Sequence, residues 1–113
     1  ILGRPVGDFM MRSSNGVLDM EAVLKAAAES GTAVEVNANP SCPELDWSCC
    51  RRAQELGVPI AISPNAHRAA RLVDYRHGAE LAQDAGLCCS SILNTLTVTD
   101  LRQYLDSGIR PGT

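Results

Sequence analysis

The sequence predicts an α/β chain made of three consecutive βα units of a parallel sheet. Short apolar runs with β-branched residues alternate with longer stretches of helical character, and short connections join them. Glycine closes each of the first three helical stretches, where a helix would stop in the left-handed conformation. Consecutive parallel strands joined this way take right-handed crossovers.

In order along the chain, Ile1-Leu2 reads as the tail of a strand, followed by a loop from Gly3 to Leu18. Asp19 is a good N-cap for a helix from Met20 to Glu29, and Gly31 is placed to end it. Ala33 to Ala38 reads as a second strand, stopped by Asn39-Pro40. Asp46 caps a helix from Trp47 to Leu56, with Trp47, Cys50, Ala53 and Gln54 near one face and Gly57 after it. Val58 to Ile62 is the third strand, nearly all apolar, as a strand covered on both faces should be. A long helix is predicted over Ala69 to Ala85, ended by Gly86. Leu87-Cys88-Cys89 is read as a short strand or buried turn, with Ser90 and Thr97 as caps of two terminal helices. Thr97-Val98-Thr99-Asp100 resembles a capping box with aspartate in the distal position.

With 113 residues, a hydrophobic fraction of 45% and a charged fraction of 20%, the chain has the composition of one soluble domain, taken here as 1–113. Its net charge of −3 and thinly spread Lys and Arg form no basic stripe, which disfavours self-sufficient nucleic-acid binding. No apolar run approaches the roughly 20 residues that cross a bilayer, so no membrane partner is expected. The start has neither a signal-peptide pattern nor an initiator methionine, so the chain is expected to be trimmed or a piece of something longer. Cys42, Cys49, Cys50, Cys88 and Cys89 are odd in number and include two adjacent pairs, a poor disulfide framework and poor zinc spacing. A reducing, cytoplasmic setting is the expectation.

The segment Ala61-Ile62-Ser63-Pro64-Asn65-Ala66-His67 closes the third strand on a polar cluster. In parallel α/β architectures the carboxyl ends of strands open into the crevice where ligands and metals are held. Glu35 and Asn37 alternate on the second strand, so they share a face and are candidates to line the same crevice.

Four segments carry a family resemblance: Ile1-Leu2-Gly3-Arg4-Pro5-Val6-Gly7, Val34 to Pro40, Arg51 to Val58, and Ser63-Pro64-Asn65-Ala66-His67. Together they resemble the C-terminal half of a PHP (polymerase and histidinol phosphatase) domain, most of all that of bacterial family X DNA polymerases. Val73 to Gly78 and Ile92 to Leu96 fit that subfamily too. The resemblance implies a TIM-like barrel of seven βα units, of which this chain would be a partial barrel. It also implies a cluster of divalent metals, zinc or manganese, held by His and carboxylate ligands for phosphoester hydrolysis, and in the polymerases a 3′-to-5′ exonuclease activity.

Carried over residue by residue, that resemblance leaves His67 as the retained metal ligand. Arg4 stands where the family has a histidine, and a guanidinium has no lone pair to give. Asn65 stands where the family has an aspartate, so a neutral amide replaces a charged ligand. Both are degenerate positions, and the family's His-X-His motif would fall before Ile1. The expectation is therefore a degenerate phosphoesterase-like scaffold, inactive alone, with no cofactor, acting as a binding or oligomerisation module. Its exposed sheet edges would pair two copies. Arg4, Asn37 and His67 are alternatively candidates for an anion site suited to phosphate. The competing expectation is a metal-dependent phosphoesterase or exonuclease acting on nucleic acid, completed by a missing N-terminal segment or another chain.

Overall fold

The structure is a computed structural model that describes residues 1–3, 19–39 and 47–109. Its element order is α1 (Met20–Ser30), β1 (Val34–Asn37), α2 (Trp47–Glu55), β2 (Ile60–Ser63), a 3₁₀ segment (Ala69–Asp74) and α3 (Tyr75–Asp84). Two 3₁₀ turns (Cys89–Ser91 and Leu93–Thr95) and α4 (Val98–Ser107) complete it.

β1 and β2 pair in parallel, with Val34 opposite Ile60 and Asn37 opposite Ser63. Leu2 bridges to Val34 on the outer side of β1, and Ile92 to Ile60 on the outer side of β2, both in parallel. The expected strand tail at Ile1-Leu2 therefore lies beside β1, its backbone bonded to Ala33 and Glu35 at 2.8 and 3.0 Å. Next to the Ile92 bridge, the Asn94 amide holds Ile62 twice. It accepts from Ile62 N at 2.8 Å and donates to Ile62 O at 2.9 Å.

The two faces of this sheet differ because side chains alternate along a strand. Val34, Val36 and Ile60 join Leu24, Ala27, Cys50, Ala53 and Val58 in the larger core, between the sheet and α1 and α2. The opposite face carries Glu35, Asn37, Ala61 and Ser63, and Glu35 accepts a hydrogen bond from Ser63 across the strands. At the start of this second face, Ala33, Leu93 and Tyr104 form a smaller core with Ala61, Leu96 and Leu101. That core is where α4 docks.

The caps follow the sequence closely. Ala22 N donates to Asp19 Oδ1 at 3.0 Å, opening α1. At its other end Gly31 lies at φ +68°, with Gly31 N bonded to Ala28 O and Thr32 N to Ala27 O, the Schellman pair. The same two bonds recur around Gly57 and Gly86. Asp100 N donates to Thr97 Oγ1, but the Asp100 carboxylate accepts from the Thr97 hydroxyl rather than from backbone, so half of the expected box forms.

Several expectations are corrected. β2 starts two residues later and ends one residue later than predicted, and Ala61 to Ser63 are half-buried rather than covered on both faces. The first six residues of the predicted helix 69–85 are 3₁₀, and none of them is buried. Trp47 stands 51% exposed with the Arg51 guanidinium 4.8 Å over its ring, while Cys50 and Ala53 alone are the buried positions of α2. Cys88 and Cys89 are exposed, not buried, and Ser90 sits inside a three-residue turn instead of capping a helix. Gln54 Oε1 pins that turn by accepting from Cys88 N and Ser91 Oγ at 2.7 and 2.8 Å. Cys42 and the Asp46 cap lie outside the described residues.

Two contacts tie the helices together. The Arg52 guanidinium donates to both oxygens of Glu21 at 2.9 and 2.6 Å, joining α2 to α1, and reaches Glu55 at 3.0 Å. The buried Tyr104 hydroxyl donates to Gly31 O at 2.7 Å, joining α4 to the end of α1. There the chains touch: a Cβ on Gly31 would lie 2.5 Å from the Gly108 carbonyl oxygen.

Gly31→Ala combines that clash with left-handed backbone, and is expected to lower stability by about 2 kcal/mol or more in urea denaturation. Tyr104→Phe leaves the Gly31 carbonyl without its partner and is expected to cost about 1 kcal/mol. A second measurement addresses the ion pair. Hydrogen bonding from Arg52 holds the Glu21 carboxyl well below the usual carboxylate range, at about 2. Its folded-state value is depressed, so its stabilisation is complete above the unfolded carboxylate range and is lost as pH falls towards 2. Glu21→Gln is expected to flatten the acid limb of stability across that window. The change should be modest and reduced by salt, since both side chains are 41% exposed.

Candidate functional site at the strand ends

The parallel register brings the carboxyl ends of β1 and β2 to the same level, and the segments leaving them run side by side. From β1, Asn37 is 4% exposed and its Oδ1 accepts from Asn39 N at 2.9 Å, turning the chain immediately after the strand. Its Nδ2 is buried with no hydrogen-bond partner among the described residues. From β2, Pro64 leads into Asn65, which takes φ +48°. Among the described residues Asn65 is the only non-glycine with positive φ, and asparagine is one of the few residue types that adopts this conformation readily. The amide at position 65, read from the sequence as a lost carboxylate, therefore has a backbone reason as well.

A cavity of about 390 Å³ opens here, and the described residues lining it are Asn39, Asn65, His67, Arg68 and Arg71. Two guanidiniums, an imidazole and two amides face it, with no carboxylate among the described lining residues. Arg71 Nε lies 3.0 Å from Asp74 Oδ2, an ion pair between residues three apart. A second cavity of about 380 Å³, walled by Ile62, Tyr75, Ala82, Leu87 and Ile92, is apolar in character.

The structure thus gathers His67 and Asn65 in one cavity. Glu35 and Asn37 share a sheet face as expected, but neither is among the cavity's lining residues. Glu35 is bonded to Ser63, and Asn37 reaches the cavity only by way of Asn39. Arg4 lies outside the described residues. Arg68 and Arg71 were missed by sequence reasoning. Their signal is a pair of arginines three apart directly after His67, at the carboxyl end of a strand.

The donors do not fit a multi-metal centre. Among the described residues no group of three or more His, Cys, Asp or Glu is placed to hold a metal ion. Guanidiniums beside the lone imidazole oppose a dication by charge and offer it no lone pair. Among the described residues no helix is long and apolar enough to cross a membrane.

No protein-family model matches the chain. It is 28% identical over 105 residues, 93% of its length, to the DNA polymerase/3′-5′ exonuclease PolX of Bacillus subtilis, of which it covers 18%. It is 29% identical over 94 residues, 78% of its length, to probable phosphatases of a Thermoanaerobacter species and of Thermoanaerobacter pseudethanolicus, covering 38% of each. The chain therefore spans less than two fifths of the curated relatives it matches. These similarities support a distant, PHP-like relationship to phosphatase and polymerase-exonuclease proteins.

The backbone at position 65 gives a direct test. Asn65→Ala is expected to destabilise the chain by about 1 kcal/mol through the left-handed conformation, and Asn65→Gly to stay within about 0.5 kcal/mol of the parent. Urea denaturation midpoints distinguish the two.

Proposed function

We propose that this chain is a degenerate PHP-type phosphoesterase relative that binds a ligand at its strand ends and does not hydrolyse phosphoesters alone. One observation carries the reading: the crevice retains His67, but amides and guanidiniums surround it where a metal cluster needs carboxylates and imidazoles. A site of that polarity draws anions and repels the dications on which metal-assisted hydrolysis depends. The distant kinship to proteins named as phosphatases and as a polymerase-exonuclease supports the phosphoester side of the reading.

That kinship also favours a second reading. Here the chain is part of a metal-dependent phosphoesterase or 3′-5′ exonuclease, with the missing ligands supplied by an N-terminal segment or another chain. Metal analysis and turnover of generic phosphodiester and phosphomonoester substrates in manganese separate the two. The binding reading expects no stoichiometric metal and no turnover above that of His67→Ala. Stoichiometric metal, together with turnover that His67→Ala abolishes, would establish the second reading instead.

A further inference from the structure

Residues 69–74 form a 3₁₀ turn where an α-helix was predicted, and Arg68 stands just before it in extended backbone, at φ −156° and ψ 155°. Arg68 O accepts from Arg71 N at 3.0 Å, so the two residues are tied together across the first turn. Both guanidiniums line the strand-end cavity. Asp74 Oδ2, 3.0 Å from Arg71 Nε, restrains the second of them. Asn65 and His67 precede the pair on the same stretch of chain, and Asn39 supplies an amide from the end of β1.

We infer that this cavity is a metal-independent site for a phosphate monoester dianion, clamped between Arg68 and Arg71 with His67 as a third donor. The inference rests on the binding reading above and adds the ligand's chemical class. Guanidiniums carry fixed positive charge and paired N–H donors that match phosphate oxygens two at a time. A planar carboxylate uses one such fork, whereas two guanidiniums and an imidazole suit a tetrahedral group with three free oxygens. A phosphodiester has one negative charge and two free oxygens, and so satisfies fewer of them. A volume of about 390 Å³ is at the small end of ligand pockets, which favours a small phosphorylated molecule. The buried Asn37 Nδ2, at the end of β1, is a further donor without an acceptor among the described residues.

The test is calorimetric titration of the whole chain with inorganic phosphate and phenyl phosphate in excess EDTA, with diphenyl phosphate and acetate as comparators. Saturable one-to-one binding of the first two is expected, with the comparators markedly weaker. Arg68→Ala and Arg71→Ala should each weaken phosphate about tenfold or more, the scale of a lost charge-assisted contact. Arg68→Lys should not restore full affinity, because an ammonium has no fork. Arg68 is exposed and has no ionic partner among the described residues, so Arg68→Ala should melt like the parent. Phosphate should also shift the His67 ring resonances. Absence of saturable phosphate binding in EDTA overturns the clamp, and so does affinity unchanged in both arginine variants. Either result, without turnover in manganese, leaves the binding reading standing with a different ligand. Phosphate binding that requires metal and accompanies turnover overturns both.

Discussion

The register between β1 and β2 is the constraint on which the rest depends. Four residue pairs fix it, Val34 to Asn37 against Ile60 to Ser63. A slip of β1 by one residue would carry Val34 and Val36 out of the larger core and drive Glu35 and Asn37 into it. The same register sets Asn37-Asn39 beside Asn65-His67, so the core and the crevice are specified together. Gly31, buried Tyr104 and Gly108 then lock α4 against the opposite end of the polar face, away from the crevice.

The crevice differs from a metal centre in the sign of its charge more than in its shape. Strand ends, a buried amide donor unpaired among the described residues and a histidine lie where an α/β scaffold gathers ligands. Amides and guanidiniums at such a cavity attract anions, whereas carboxylates in the same places would attract cations.

What the sequence disclosed was local. Asp19, Thr97 and Gly31 announced helix ends because capping needs only residues within a turn of one another. The alternation of Glu35 and Asn37 placed them on one face for the same reason. Contacts reaching across the chain were not legible. Gln54 pinning Cys88 and Ser91, 34 and 37 residues away, marks no pattern. Nor does Gly78, where a Cβ would strike Ile62 Cγ2 at 2.5 Å and Ala38 Cβ at 2.8 Å, announce that α3 lies so close to the strands. Arg68 and Arg71 fell in between: their spacing was visible, but the cavity they line is built by segments that meet only in the fold. Trp47 misled because a large aromatic on a helix usually marks its inner face, whereas here Arg51 covers it from outside.

The Asn94 amide has a consequence beyond holding one loop. Parallel ladders stop where the next backbone departs, and the last strand then offers unpaired N–H and C=O groups to any extended peptide. At Ile62 both groups are already taken, by a single side chain that imitates a peptide unit. An invading strand would have to break two hydrogen bonds before forming its first on that residue. At that residue the Asn94 amide takes the place that a neighbouring strand would occupy.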